Sequence, residues 1–316
     1  LILRDASGNT VRCSVVVDAD GQGLRFVATG GALPAGEYGV QLASRDNGFV
    51  DALGRTLDGN RDNVSGDDFV GGFTVTAGAT LGIADLVRAP GQGVDVSATS
   101  AGIPISLTSD GGVTSVSFDL RYDPATLNVS VLEPGTGLPD ASDVTATGAA
   151  GAYQVAVRVS APLAAGTLDL LRVRASVPIE AGYGAVRVLD IADVRIDGAV
   201  GRADDGVQVV ELFGDSTGDR RYTSLDSQRV ARIVAGIDTG LGFYPAIDPV
   251  LISDVDRSGT LTSADGSIIT RESQFVLSGN PVLDQPQIPP LPNPGSVAGI
   301  LVGAPRAPAS GNFTVL

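Results

Sequence analysis

The amino-acid sequence predicts a mainly β protein that carries one small α-helical module. Three observations lead there. Short Val- and Thr-rich runs are punctuated by Gly, Asp, Asn and Pro, with 42 Gly and 18 Pro in 316 residues, the composition of strands joined by tight turns. Runs of this kind fill residues 1–211. A 3.6-residue apolar period appears only after residue 213, behind two acidic loops. The length leaves room for two or three domains, and the composition shifts place boundaries that give segments 1–78, 79–212, 213–280 and 281–316.

Residues 1–78 read as an antiparallel β domain. Leu1-Ile2-Leu3-Arg4 reads as the middle of a strand, as though the chain began inside a longer precursor. Strands are expected at Thr10–Val17, Leu24–Ala28, Gly39–Ala43 and Gly72–Val75. Turns are expected at Asp18-Ala19-Asp20-Gly21, Gly30-Gly31 and Pro34-Ala35-Gly36. The stretches Leu33-Pro34-Ala35-Gly36-Glu37-Tyr38 and Gly48-Phe49-Val50-Asp51-Ala52-Leu53-Gly54 resemble the bacterial Ig-like domains of surface-layer proteins and large adhesins. That resemblance implies an Ig-like sandwich lacking its opening strand or two.

In residues 79–212, strands are expected at Val113–Tyr122, Ala152–Val159, Leu168–Ala175 and Ala185–Val194, a spacing suited to a sandwich. A turn falls at Asp123-Pro124-Ala125-Thr126. The run Val116-Ser117-Phe118-Asp119-Leu120-Arg121-Tyr122-Asp123-Pro124-Ala125-Thr126-Leu127, with Gly166-Thr167-Leu168 and Ala181-Gly182, resembles the cohesin family. The resemblance implies a jelly-roll sandwich that recognises a protein partner and brings no catalytic residues.

Residues 213–280 hold two in-frame acidic loops. Calcium takes six to eight oxygen ligands, which an EF-hand loop supplies from positions 1, 3, 5, 7 and 12. From Asp215 those positions are Asp215, Thr217, Asp219, Arg221 (by its carbonyl) and Asp226. From Asp254 they are Asp254, Asp256, Ser258, Thr260 (by its carbonyl) and Asp265. Position 9, which often ligates through water, is Thr223 and Thr262. Each loop precedes a helix signal, Val230, Ile233, Val234 and Ile237 after the first and Ile268, Ile269, Phe275 and Val276 after the second. The duplicated loop-helix pattern resembles the dockerin family, with Asp at position 12 and no helix entering either loop. That family presents its helices to a cohesin partner. Thr217, Ser258 and Arg220 depart from its pattern, which points to extracellular calcium at roughly 10⁻⁴–10⁻³ M.

A third acidic cluster, Asp58, Asn60 and Asp62, copies the 1-3-5 spacing, with Asp67-Asp68 beyond but no helix and no ligand at position 12. A solvated loop accounts for it, and a third calcium site is the alternative. Residues 281–294 are Pro-rich, an extended linker. Strand character returns at Val297–Val302 and Asn312–Leu316, and the latter would complete a neighbouring domain. The triplets Asn128-Val129-Ser130 and Asn312-Phe313-Thr314 read as chance glycosylation signals.

Composition narrows function. The 36 carboxylates against 21 basic residues give a net charge of -15, which disfavours nucleic acid and anionic membranes. No apolar run is long enough to span a bilayer. The chain lacks His and Lys, so the usual general base and Schiff-base chemistry are absent. Its one cysteine, Cys13, has no partner for an intrachain disulfide and reads as a small apolar strand residue. Glu133, Glu180 and Glu211 have no motif around them and read as solvated or turn positions, which leaves little for a carboxylate-dependent hydrolase. The expected function is therefore a non-catalytic extracellular or cell-surface structural protein. Its module would dock on a cohesin-like domain of the same or another chain, and self-association could build a filament. The alternative is a cellulosome-like scaffolding component that recruits dockerin- or cohesin-bearing enzymes.

Overall fold

The computed structural model describes residues 1–17, 23–45, 48–50, 53–97 and 100–275. The expected turn at 18–21, the Pro-rich segment and both C-terminal strands lie outside the described residues. The described residues divide into two compact units, one from Leu1–Ala28 with Leu33–Ala77, the other from Thr29–Ala32 with residues 78–275.

The first unit contains β1 (Ile2–Asp5), β2 (Thr10–Val11), β3 (Cys13–Val17), β4 (Leu24–Ala28), β5 (Gly36–Leu42) and β6 (Phe69–Val75). One sheet runs β2-β1-β5-β6, and β3 pairs with β4 in a second. The expected strand Thr10–Val17 is therefore split at Arg12, because its two halves pair with different sheets. Alternation along β5 puts Tyr38, Val40 and Leu42 inward, with Leu3, to form the core. Tyr38 pairs with Phe73 across the strands, and their rings stack with centroids 5.4 Å apart. Cys13 is a half-buried strand residue.

The second unit opens with β7 (Thr80–Ile83), β8 (Leu86–Val87), β9 (Asp95–Ser97), β10 (Ser100–Ala101), β11 (Ile103–Ser109), β12 (Ser115–Arg121) and β13 (Asn128–Pro134). It continues with β14 (Asp143–Ala149), β15 (Ala152–Arg158), β16 (Gly166–Ser176), β17 (Val186–Ile196), β18 (Ala199–Val200), β19 (Arg202–Asp204) and β20 (Gly206–Val209). A five-stranded sheet, β13-β16-β11-β7-β19, faces a seven-stranded sheet ordered β14-β15-β12-β17-β20-β8 with β18 added on β17. Inward residues of β11 (Ile103, Ile105, Leu107) and β12 (Val116, Phe118, Leu120) meet Leu170, Leu171, Leu189 and Ile191 between the sheets. Each such Leu or Ile contributes about 1.5–3 kcal/mol by leaving water. Strand β20 is buried along its whole length, and its one polar side chain, Gln208, bonds both the hydroxyl and the carbonyl of Thr126.

Three helices follow: α1 (Ser224–Val234), α2 (Pro249–Ser253) and α3 (Ser263–Phe275). They share a small core of Leu212, Tyr222, Val230, Val255 and Ile269 with Ala89, which lies just beyond β8. Helix α1 ends at Val234 with Ala235 as its C-cap, and Gly236 takes φ +68. Ile237 is thus outside the helix, and only Val230 of the expected apolar face is fully buried, while Val234 (45%) and Ile237 (63%) are exposed. Val276 lies outside the described residues.

Candidate metal centre

Both acidic loops close on themselves as the spacing predicts. The carboxylate oxygens of Asp215, Asp219 and Asp226 lie within 4.8 Å of one another, and so do those of Asp254, Asp256 and Asp265. Oxygens on a shell 2.3–2.6 Å from calcium are at most about 5 Å apart. In the first loop Asp215 Oδ1 accepts from the N–H groups of Gly218 (2.8 Å) and Asp219 (3.2 Å), and Oδ2 from that of Arg220 (2.7 Å). Thr217 donates its N–H and hydroxyl to Asp226 Oδ1. In the second loop Asp254 accepts from Ser258 and Gly259, and Asp256 donates its N–H to Asp265. The Ser258 hydroxyl bonds the Thr260 carbonyl at 3.0 Å, placing that position-7 oxygen beside position 5. Arg221 donates its N–H to Asp219 and leaves its own carbonyl as the first loop's position-7 candidate.

The tight winding requires left-handed backbone at positions 4 and 6. Gly218 (φ +73) and Arg220 (φ +69) supply it in the first loop, Arg257 (φ +59) and Gly259 (φ +85) in the second. The glycine has changed places between the two copies. Positions 9 and 12 then start the helices. Thr223 caps α1 by accepting from the Leu225 N–H, and Asp226 Oδ2 reaches back to the Thr223 N–H (2.7 Å), completing a capping box. Thr262 and Asp265 repeat it ahead of α3. The position-12 carboxylate thus serves both ring and helix. One feature differs from the dockerin-like expectation: α2, capped by Asp248 with Pro249 at its first position, leads directly into the second loop.

Burial makes the rings costly without a cation. Asp215, Asp226 and Asp265 are fully buried. Burial pushes the Asp215 carboxyl up to about 6, and the Asp226 charge adds to this against the opposing Tyr183 hydrogen bond. Burial likewise raises Asp219 and Asp254. Asp256, at the exposed edge, is lowered instead, first by the Ser258 N–H. Converging buried carboxylates with neutral oxygens, and no sulfur or imidazole, suit a hard cation of calcium's size.

The third cluster gathers Asp58 and Asp62 with Asp67, at position 10 rather than 12. Asn60 hydrogen-bonds Asp62 by both its amide nitrogen and its amide oxygen. Arg61 (φ +65) and Asn63 (φ +70) repeat the left-handed pair at positions 4 and 6. Asp67 was visible as an acid beyond the 1-3-5 run, and a count restricted to position 12 passes over it.

Two residues near the first loop carry no local sequence signal. Tyr183, between β16 and β17, donates its hydroxyl to Asp215 Oδ2 at 2.5 Å. Glu211, following β20, is fully buried, and the Tyr244 hydroxyl is the hydrogen-bonding group that faces its carboxylate. The expectation of a solvated Glu211 is therefore wrong, because the chain carries it from the sandwich straight into the core shared with the helices. Burial holds it well above the usual carboxylate range. Glu133 pairs with Arg174 at 2.8 Å, and Glu180 is exposed in a turn.

No family model matches this chain, and no curated protein matches it. Among solved structures it is similar to a non-cellulosomal cohesin from the archaeon Archaeoglobus fulgidus, at 17% identity over 43% of this chain and 93% of that one, with a TM-score of 0.35. It is also similar to the sixth cohesin of Acetivibrio cellulolyticus scaffoldin B, solved with a dockerin, at 16% identity over 43% and 100%, TM-score 0.36. A type I cohesin–dockerin complex from Clostridium thermocellum matches at 14% identity over 44% and 98%, TM-score 0.36.

Proposed function

We propose that this chain is a non-catalytic extracellular structural or adhesive protein whose helical module is pinned by two calcium ions and docks on a cohesin-like sandwich, its own or a neighbouring copy's. The observation that carries the reading is the pair of loops, each bringing three carboxylates within 4.8 Å with the ring oxygens of positions 1 and 12 buried. Asp215, Thr217, Asp219, the Arg221 carbonyl and Asp226 would hold one ion. Asp254, Asp256, Ser258, the Thr260 carbonyl and Asp265 would hold the other. Calcium would neutralise these charges and fix where α1 and α3 begin.

Docking in cis is supported by the core that Ala89, Leu212 and Tyr222 share with the helices. Docking in trans is supported by Leu225, Val234 and Ile237, which remain exposed on and just beyond α1. Ca²⁺ titration calorimetry and size-exclusion chromatography test both parts. The expected result is two calcium ions per chain, one fewer in Asp215→Ala or Asp254→Ala, and calcium-dependent growth in size if docking is in trans. A stoichiometry of three would place the third ion on Asp58, Asp62 and Asp67. Absence of binding by the intact chain would overturn the calcium reading, and a monomer with and without calcium would confine docking to one chain.

A further inference from the structure

We infer that the first acidic loop is a calcium-dependent latch, with Tyr183 of the sandwich acting as a positioning residue for Asp215, so that an ion at this loop clamps the helical module onto the sandwich. The inference rests on the calcium reading above. Loop and latch residue belong to the same compact unit.

The Asp215 carboxylate is held from two sides. Its own loop supplies the Gly218, Asp219 and Arg220 N–H groups. The sandwich supplies one donor, the Tyr183 hydroxyl, at 2.5 Å from Oδ2. That hydroxyl also accepts the Leu212 N–H at 3.2 Å, so the phenol joins the chain leaving β20 to the ligand at position 1 of the loop. The phenolic O–H is the donor of this pair and the carboxylate its acceptor.

The surroundings fix the ring as well as the hydroxyl. The Arg220 guanidinium lies 5.1 Å from the Tyr183 ring centroid, so the strained position-6 residue of the loop rests on the latch. The next sandwich residue, Gly184, and Gly218 of the loop approach the same Phe243 ring. A Cβ on Gly184 would fall 3.0 Å from it, and one on Gly218 2.5 Å. Among the described residues, the hydrogen bonds that Asp254 accepts come from Ser258 and Gly259 of its own loop.

Carboxylates that ligate a metal are oriented by their own hydrogen-bond partners, and loss of one such partner weakens metal affinity about 10- to 100-fold. Linkage makes the effect reciprocal. If the placed phenol tightens calcium, calcium holds the phenol in place by the same factor. The two loops then differ in role: the second orders the module, and the first joins module to sandwich.

The test isolates loop one in an Asp254→Ala background and measures Ca²⁺ affinity by calorimetry with and without Tyr183→Phe. The expected loss is about 10- to 100-fold, whereas in an Asp215→Ala background the same change leaves loop two unaltered. Hydrogen exchange of the intact chain gives a second readout. Calcium is expected to slow exchange in residues 177–185, a sandwich turn that contributes no ligand. Equal loop-one affinity in the Tyr183→Phe protein, or exchange in that turn indifferent to calcium, overturns the latch and leaves the calcium reading standing. Absence of Ca²⁺ binding to the intact chain overturns both.

Discussion

A left-handed backbone costs an ordinary side chain about 1–2 kcal/mol, and each acidic loop demands it twice. In the first loop the non-glycine at such a position, Arg220, gains a stacking contact with Tyr183. Arg257, at φ +59 in the second loop, is exposed and forms no ring contact. Arg257→Gly should therefore raise stability by about 0.5–1 kcal/mol, the strain relieved less the extra chain entropy of Gly. Urea unfolding in calcium measures it, and a loss would show that Arg257 contributes an interaction of its own. Asp204 sets a pH dependence. Burial, then the charges of Asp85 and Asp205, push its carboxyl up to about 7 against an opposing Arg202, from 3.8 for a free group. The folded state thus binds the extra proton between those values, so its contribution to stability falls as pH rises from about 4 to 7. At ~1.4 kcal/mol per pH unit the whole effect is on the order of 4 kcal/mol. Asp204→Asn should match the parent near pH 4 and exceed it at pH 8, and parallel unfolding curves at the two pH values would refute the assignment. At this scale the clustered acids of the two loops were legible, because their spacing repeats. Tyr183 and Glu211 were not, since their roles arise from segments brought together only by the fold.

Among the elements, the capping boxes explain why a helix follows each loop. Thr and Asp three residues apart give the helix its first hydrogen bonds, and the same Asp closes the carboxylate cluster, so metal binding at the proposed site and helix initiation would share one carboxylate. Thr262→Ala removes the acceptor for the Ala264 N–H and a donor to Asp265. It should cost about 1 kcal/mol, within the 0.5–2 kcal/mol range of N-cap losses, and weaken calcium at loop two while sparing loop one. Ser267→Ala on the same helix is a control, because that hydroxyl only bonds back to Ser263 within an exposed turn. If both changes weaken calcium equally, the cap is not coupled to the ring. Element legibility followed the same physics. Strand β4 matches its expected span to the residue, since Gly-rich turn sequences bound a short, mainly apolar run. Strand β14 escaped notice because nearly every residue faces solvent and no alternation marks it. Helix α2, five residues long, is too short to show a period, although Asp248-Pro249 announces its start.

For the whole molecule, the proposed calcium binding makes a prediction about how the two compact units unfold. Both well-formed acidic rings lie in the second unit, and the Asp58 cluster lies in the first. Calcium at about 100 times its Kd stabilises the folded state by about 2.7 kcal/mol per site. Two occupied loops would then raise the second unit's melting temperature by roughly 10–20 °C, at about 2–4 °C per kcal/mol for a unit of this size. The sandwich must share that gain, because Ala89 and Leu212 are built into the same core as α1 and α3. Scanning calorimetry in calcium and in chelator should therefore show one transition moving and one staying in place. A shift in both would assign an ion to Asp58, Asp62 and Asp67 as well. A helical signal that melts early in chelator, with the sandwich transition unmoved, would mean that the module folds on calcium alone and that the shared core adds nothing to the coupling. A single calcium-shifted transition for sandwich and helices together would make the ion a structural pin for the entire unit.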